Sequence, residues 1–200
     1  SAITGGRLIT AFEPLDQIAG CEGVVNVEGG VNGTLRSIPV AFSGIGDKKG
    51  NQNTFFGFGI YAAAAYEAMI EEKEAIEIEL KNNEWRIGKH RVAPGDFYPG
   101  FAKSIGQFPR FSFVDVLNGK IEDGAFADKL VFIGSSTNPN DRFRVPISHR
   151  EKIKLGEGVE VQSSVKLMPG VEFHATVASS LMQDNYIRVA DKELLNPILL

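Results

Sequence analysis

Residues 54–73 place the strongest constraint on the fold. Phe55, Phe56, Phe58, Ile60, Tyr61, Ala62 to Ala65, Tyr66, Ala68, Met69 and Ile70 leave no polar face until Glu71-Glu72-Lys73. A helix that is apolar all round has to be buried along most of its length or covered on both sides. The rest of the chain must therefore supply layers to cover it. At 200 residues it can, as one domain or a domain and a half. With 43% apolar and 23% charged residues, it is neither disordered, nor collagen, nor a coiled coil. A single cysteine, Cys21, excludes an internal disulfide framework and a Cys-rich zinc module. The net charge of −4 offers no basic field for nucleic acid. No run of 18 apolar residues would span a bilayer, and Ser1 to Gly6 lacks the basic start and apolar core of a signal peptide.

The covering layers read mainly as strands. Arg7 to Phe12 and Val24 to Val27 are short apolar runs closed by turn residues. Asn32-Gly33 is a two-residue turn signal. Thr34 to Phe42 alternates after it, with Pro39 as an edge or break. Ser43 to Asn53 reads as an exposed loop. Glu74 to Leu80 is a strand with one wet face, and Lys81-Asn82-Asn83 returns it as a hairpin through Glu84 to Ile87. Gly95 to Gly100 is a short extended piece. Ser112 is placed to cap a helix over Phe113 to Leu117, with Asp115 three residues on. Leu130 to Ile133 has the continuous apolar character of a strand buried on both faces, hence a central one. Arg150 to Val161 is a small polar hairpin turning at Gly156-Glu157-Gly158. Pro169 opens a second helix at its preferred first position. Its apolar side carries His174, Ala175, Ala178, Leu181 and Met182; Glu172, Thr176, Ser179 and Gln183 face away. It stops near Asp184-Asn185. Glu193 to Leu200 rises in hydrophobicity, as expected ahead of a membrane segment. The fold class expected is mixed α/β: a central mixed β-sheet with helices packed on it, plus a small peripheral β-hairpin.

Gly57-x-Gly59-x-x-Ala62 with Glu79 downstream is the spacing of a dinucleotide fingerprint, which needs a preceding strand. Gly50 to Asn53 leave little room for one, so the glycines read instead as close-approach points inside the aromatic helix. Gly134-Ser135-Ser136-Thr137 follows the expected central strand. Its hydroxyls and amides could receive a polar or anionic ligand, or simply satisfy their own backbone. Arg142, Arg144, His149, Arg150, Lys152 and Lys154 form a basic stretch that suits lipid headgroups or a solvated hairpin. His90, His149 and His174 have no metal-ligand spacing. No nucleophile elbow is present. Cys21 has no base partner in the sequence, and Asn32-Gly33-Thr34 matches a glycosylation sequon that a turn explains equally well. The sequence offers no catalytic constellation, no metal site and no cofactor.

The later segments occur in a telling order. Phe108-Pro109 and Phe111 to Gly119 come first. Phe126 and Asp128 to Gly134 follow, then Asp141, Val145-Pro146, and Met168-Pro169-Gly170-Val171-Glu172-Phe173-His174-Ala175. This series resembles the type-two CHASE domain, an extracellular sensor module associated with cyclases and histidine kinases. Gly23-x-Val25-Asn26-Val27 and Arg36-Ser37-Ile38-Pro39 resemble the family's upstream pieces. Val145 stands where the family has threonine, and Gly30 to Gly33 replaces its Asp-rich turn. The family's N-terminal acidic strand and helix have no counterpart, which implies a shortened relative or a late start.

The resemblance implies the non-catalytic, ligand-sensing input domain of a transmembrane receptor, on the periplasmic or extracellular side of the membrane. It implies a single sensor domain over residues 1–185 and an exit segment over 186–200 leading toward a membrane span. The partners expected are a small-molecule or protein signal, the membrane through flanking segments, and a second copy of the chain; nucleic acid is not among them. A ligand would meet Gly134, Ser135, Ser136, Thr137, Asp141, Glu172 and His174. Equally, Asp141, Glu172 and His174 could serve only to hold loop and helix together. The alternatives are a soluble nucleotide-binding enzyme using Gly57, Gly59 and Glu79, and a spacer or dimerisation module that senses nothing.

Overall fold

The structure is a computed structural model that describes residues 2–4, 7–9, 23–25, 27, 30–46, 52–101, 104–148, 150–154 and 160–188. Cys21, His149, the turn at Gly156 to Gly158 and the segment Glu193 to Leu200 lie outside them. The strands are, in order, β1 (Ala2–Thr4), β2 (Arg7–Ile9), β3 (Ile38–Pro39), β4 (Ala41–Gly46) and β5 (Gln52–Phe56). Helix α1 (Phe58–Ile70) follows, then β6 (Ile78–Lys81), β7 (Glu84–Ile87), β8 (His90–Val92) and β9 (Asp96–Pro99). Next come α2 (Phe113–Leu117), β10 (Arg142–Phe143), β11 (Arg150–Lys154), β12 (Glu160–Val165), β13 (Met168–Pro169), α3 (Gly170–Met182) and β14 (Tyr186–Ile187). The fold is mixed α/β, with the described strands shared among five small sheets. The chain divides into two compact units. One holds residues 1–26, 37–100 and 177–200; the other holds 27–36 and 101–176. None of the described helices is long and apolar enough to cross a membrane.

In the first unit, β4 and β5 form an antiparallel pair with Ala41 opposite Phe56 and Phe42 opposite Phe55. This ladder takes Thr54 to Phe56 out of the helix to which their apolar character assigned them, and α1 starts only at Phe58. It also takes much of the expected Ser43–Asn53 loop into strand. The alternating stretch that begins at Thr34 is broken after Pro39, as a residue with no N–H to donate should break it. β3 and β14 flank β9, each antiparallel to it. The meander β6-β7-β8 turns at Asn82 (φ 53°) and Asn83 (φ 57°), the paired left-handed conformation of a type I′ hairpin.

α1 buries one stripe, Gly59, Ile60, Ala63, Ala64 and Ala68, while Met69 and Ile70 are exposed. The spacing i, i+3, i+4, i+8 is that of an ordinary one-faced helix, so the other aromatic residues are only half covered. Phe56 packs edge-on to Trp85 at 5.4 Å and stacks beside Tyr61 at 6.0 Å. The core of this unit is Val24, Ile38, Val40, Ile60, Ile87, Val92, Phe97, Val177 and Leu181.

In the second unit, Leu35, Ile105, Val145, Met168 and Phe173 are buried. Asn32 (φ 66°) and Gly33 (φ 65°) make the expected turn, after which the Leu35 N–H donates to the Arg144 carbonyl at 2.7 Å. β10 and β13 pair antiparallel, and β11 and β12 form the expected hairpin. α2 forms without a side-chain cap from Ser112, and Asp115 instead pairs with Lys120 at 3.2 Å. One expectation fails here. Leu130 to Ile133 is not a strand, and Val131 and Ile133 are 47% and 78% exposed. A continuous apolar run becomes a central strand only where neighbours flank it, and no described strand pairs with this one.

α3 runs from Gly170 to Met182 and closes at Asp184 (φ 52°). Gln183 of its expected polar face is exposed and Ser179 half-buried, but Glu172 and Thr176 are buried, as is Ser180. Each of these three buried residues has a partner. Thr176 donates to the Glu172 carbonyl at 2.8 Å, and Ser180 donates to the Gly100 carbonyl at 3.3 Å. A buried hydroxyl with a carbonyl partner avoids the desolvation cost of an unmade bond, so helical periodicity alone understated the burial.

Candidate functional site

Three segments of the second unit meet at the first turn of α3: residues 104–110, the loop 134–142 and Gly170 to His174. The loop is shaped by its own side chains. The Ser135 hydroxyl accepts the N–H groups of Thr137 and Asn138 at 3.4 and 3.2 Å, and the Asn138 side chain accepts Asn140 N–H at 3.0 Å. Arg142 donates to the Ser136 carbonyl at 2.6 Å. These are the local side-chain turns that Ser and Asn form readily.

The loop closes on the helix at both its ends. At Gly134 an added Cβ would lie 2.8 Å from the Val171 side chain. At Gly170 it would run into the Asp141 carboxyl group, and Gly170 N–H donates to the Asp141 carbonyl at 3.1 Å. Glycine is thus required at both contacts for reasons of space. Asp141 lies at the N-terminal end of α3, the end of a helix that favours an anion. Burial pushes its carboxyl above the ordinary value of 3.8, opposed by the Gly170 N–H. Desolvation outweighs the hydrogen bond.

Glu172 turns toward residues 104–110. Its side chain is 4% exposed and pairs with Arg110, and it accepts the Gly106 N–H at 2.5 Å. His174 is buried, with its ring edge-on to Phe173 at 6.0 Å. The structure therefore brings Gly134 and Asp141 onto α3, while Glu172 is occupied by Arg110 and Gly106. The Ser135 hydroxyl already accepts two backbone N–H groups, the Ser136 carbonyl accepts Arg142, and Thr137 is exposed. Because Leu130 to Ile133 is not a strand, the loop does not stand at the end of a central strand as expected.

The rival nucleotide site is placed differently from its sequence reading. Gly57 does follow a strand, β5, and precedes α1. But Gly57 N–H donates to the Val40 carbonyl at 3.2 Å and Phe58 N–H to the Val24 carbonyl at 2.8 Å. An added Cβ at Gly57 would lie 3.0 Å from the Pro39 carbonyl oxygen. Gly57 lets Pro39 approach the helix start, and the Gly57 and Phe58 amides, which would face a pyrophosphate, are already used. Glu79 pairs with Arg86 on the solvent side of β6. Among the described residues no group of His, Cys, Asp or Glu is placed to hold a metal ion.

Two constellations had no signal in the sequence. Arg110 and Glu172 are 62 residues apart. In the first unit His90, Glu67 and Asp184 come together from a strand, a helix and a turn. Nothing in local spacing marks either one.

No curated protein and no solved structure matches this chain. A protein-family comparison does, over residues 7–199, with the CHASE2 domain. That span covers both units, the loop 134–142 and the whole of α3. The chain belongs to the CHASE2 domain family, a family of extracellular sensor domains of membrane receptors.

Proposed function

We propose that this chain is the input domain of a transmembrane receptor, facing the periplasm or the cell exterior, and that it senses a ligand without catalysing a reaction. The output would be a cyclase, a kinase or a similar enzyme. The domain would occupy residues 1–185, with 186–200 leading toward the membrane. The observation that carries the reading is the closure of the loop 134–142 on the first turn of α3 through Asp141 and Gly170. A loop that touches a helix start through a partly buried carboxyl can be displaced by a polar ligand that offers a better partner. Thr137 and Asp141 would contact that ligand first, with Gly134, Ser135 and Ser136 shaping the loop. Glu172 and His174 would hold α3 in place. A ligand that prefers one arrangement of the loop shifts the population toward it, and α3 carries the change.

The test is made in the full receptor with Ser136→Ala and Asp141→Asn. Both variants should melt normally yet change the output of the receptor in its native medium. Unchanged output from a folded double variant would dispose of the loop site. A thermal-shift screen of this chain with nicotinamide dinucleotides addresses the enzyme alternative; the sensor reading expects no shift.

A further inference from the structure

His90 is 4% exposed, yet both of its ring nitrogens face carboxylates from other elements. Nε2 lies 2.9 and 3.1 Å from the two Glu67 oxygens on α1. Nδ1 lies 3.9 Å from Asp184, in the turn that closes α3. All three residues belong to the first unit. A neutral imidazole has one N–H and cannot serve both carboxylates; an imidazolium can. We propose that His90 is a proton-binding site whose charge fastens the turn at Asp184, and with it strand β14, to β8 and α1.

The surrounding charges decide which contact gives way. Glu67 also holds Lys89 at 3.0 Å, from the β7–β8 turn. Glu71, the residue just past the end of α1, is taken by Lys73 at 2.9 Å. On β8 itself, Arg91 pairs with Glu84 of β7 at 3.6 Å. Across from it, Asp184 holds Arg188 at 3.1 Å, and Arg188 lies over the Tyr186 ring at 5.5 Å. When His90 loses its proton, the remaining N–H stays with the closer, better shielded Glu67. The longer contact to the exposed Asp184 is the one released.

What Asp184 holds is narrow. β14 is a two-residue strand, with Tyr186 opposite Pro99 and Ile187 opposite Tyr98. The Asn185 carbonyl accepts Gly100 N–H at 3.0 Å, and the Tyr186 hydroxyl donates to the Arg91 carbonyl at 2.8 Å. Two ladder positions are too few to hold a strand alone, so a lost ion pair at its start shows in local opening. This device stands on the first unit alone. It is independent of whether the loop 134–142 binds a ligand.

The experiment is amide hydrogen exchange on the 200-residue chain, corrected for intrinsic rates, at about pH 5.5 and about pH 8, the interval in which histidine ordinarily changes charge. Protection of the Gly100 and Ile187 amides should fall roughly tenfold or more at the higher pH, as local opening becomes easier. Asp184→Asn should abolish the difference, leaving protection low at both pH values while the α1 amides stay protected. His90→Gln should do the same where it folds; Asp184 is exposed, so its variant keeps the test decisive. Equal protection at both pH values in the parent chain, or a pH difference that survives in Asp184→Asn, would overturn the proposal.

Discussion

The carboxyl group of Asp141 lies directly against the Cα of Gly170, at the first residue of α3, where any side chain would displace it. Helix propensity favours alanine over glycine by about 1 kcal/mol in a helix interior and by less at a first residue such as Gly170. The clash opposes it, and inserting a methyl group into filled space costs roughly 1–3 kcal/mol. Gly170→Ala should therefore destabilise the chain, with the lost stability read as a lower urea midpoint at unchanged slope. A midpoint at or above that of the parent would show that Asp141 can move aside freely.

The same carboxyl sets a pH dependence whose sign is opposite to that of a salt-bridged aspartate. Burial raises its pKa in the folded chain above the ordinary 3.8. The folded state thus keeps its proton when the unfolded chain has lost it. Stability contributed by Asp141 is full below the ordinary value and is lost as pH rises through it toward the raised one. Asp141→Asn keeps an acceptor beside Gly170 and removes the titration. The variant's stability measured against pH should lack that falling segment, and at neutral pH it should be at least as stable as the parent.

Glu172 and Arg110 predict an asymmetry between two single substitutions. Arg110 is 49% exposed, whereas Glu172 is almost fully buried. Arg110→Ala leaves a buried carboxylate with the Gly106 N–H and no cation, at a cost of about 1–3 kcal/mol. Glu172→Gln keeps an oxygen for Gly106 and strands only an exposed guanidinium, at about 1 kcal/mol. Chemical denaturation of both variants and of the double variant gives the coupling. Equal costs, or additivity in the double variant, would mean that the pair does not act as one.

Local signals located the elements whose ends are set by backbone chemistry. Asn82-Asn83 supplies the two left-handed residues of the β6–β7 turn; Pro169, expected as the first residue of α3, instead ends β13 opposite Arg142, and the helix starts one residue later at Gly170. The candidate loop was legible for the same reason, since Ser135 and Asn138 write their turns into the sequence. What the sequence could not carry was pairing at long range. Phe55 and Phe56 run straight into the apolar residues of α1, yet the ladder to Ala41 and Phe42 takes them into strand. Thr176 looks like part of a solvated face until its carbonyl partner is seen. Glu67, His90 and Asp184 are separated by helix, hairpin and strand, so no spacing rule finds them.

Ile133 separates a composition-based expectation from the observed packing. Within the apolar run Leu130 to Ile133 it should be interior, and truncating a buried isoleucine to alanine costs about 2–5 kcal/mol. In the structure it is 78% exposed, next to Val131 at 47%. Ile133→Ala should then cost less than about 0.5 kcal/mol, as surface changes do. Leu35→Ala, in the same unit and fully buried, should cost about 2–5 kcal/mol and serves as the internal reference. Both are read from urea unfolding of the 200-residue chain. A cost at Ile133 comparable to that at Leu35 would mean that another strand covers the segment 130–133 in solution.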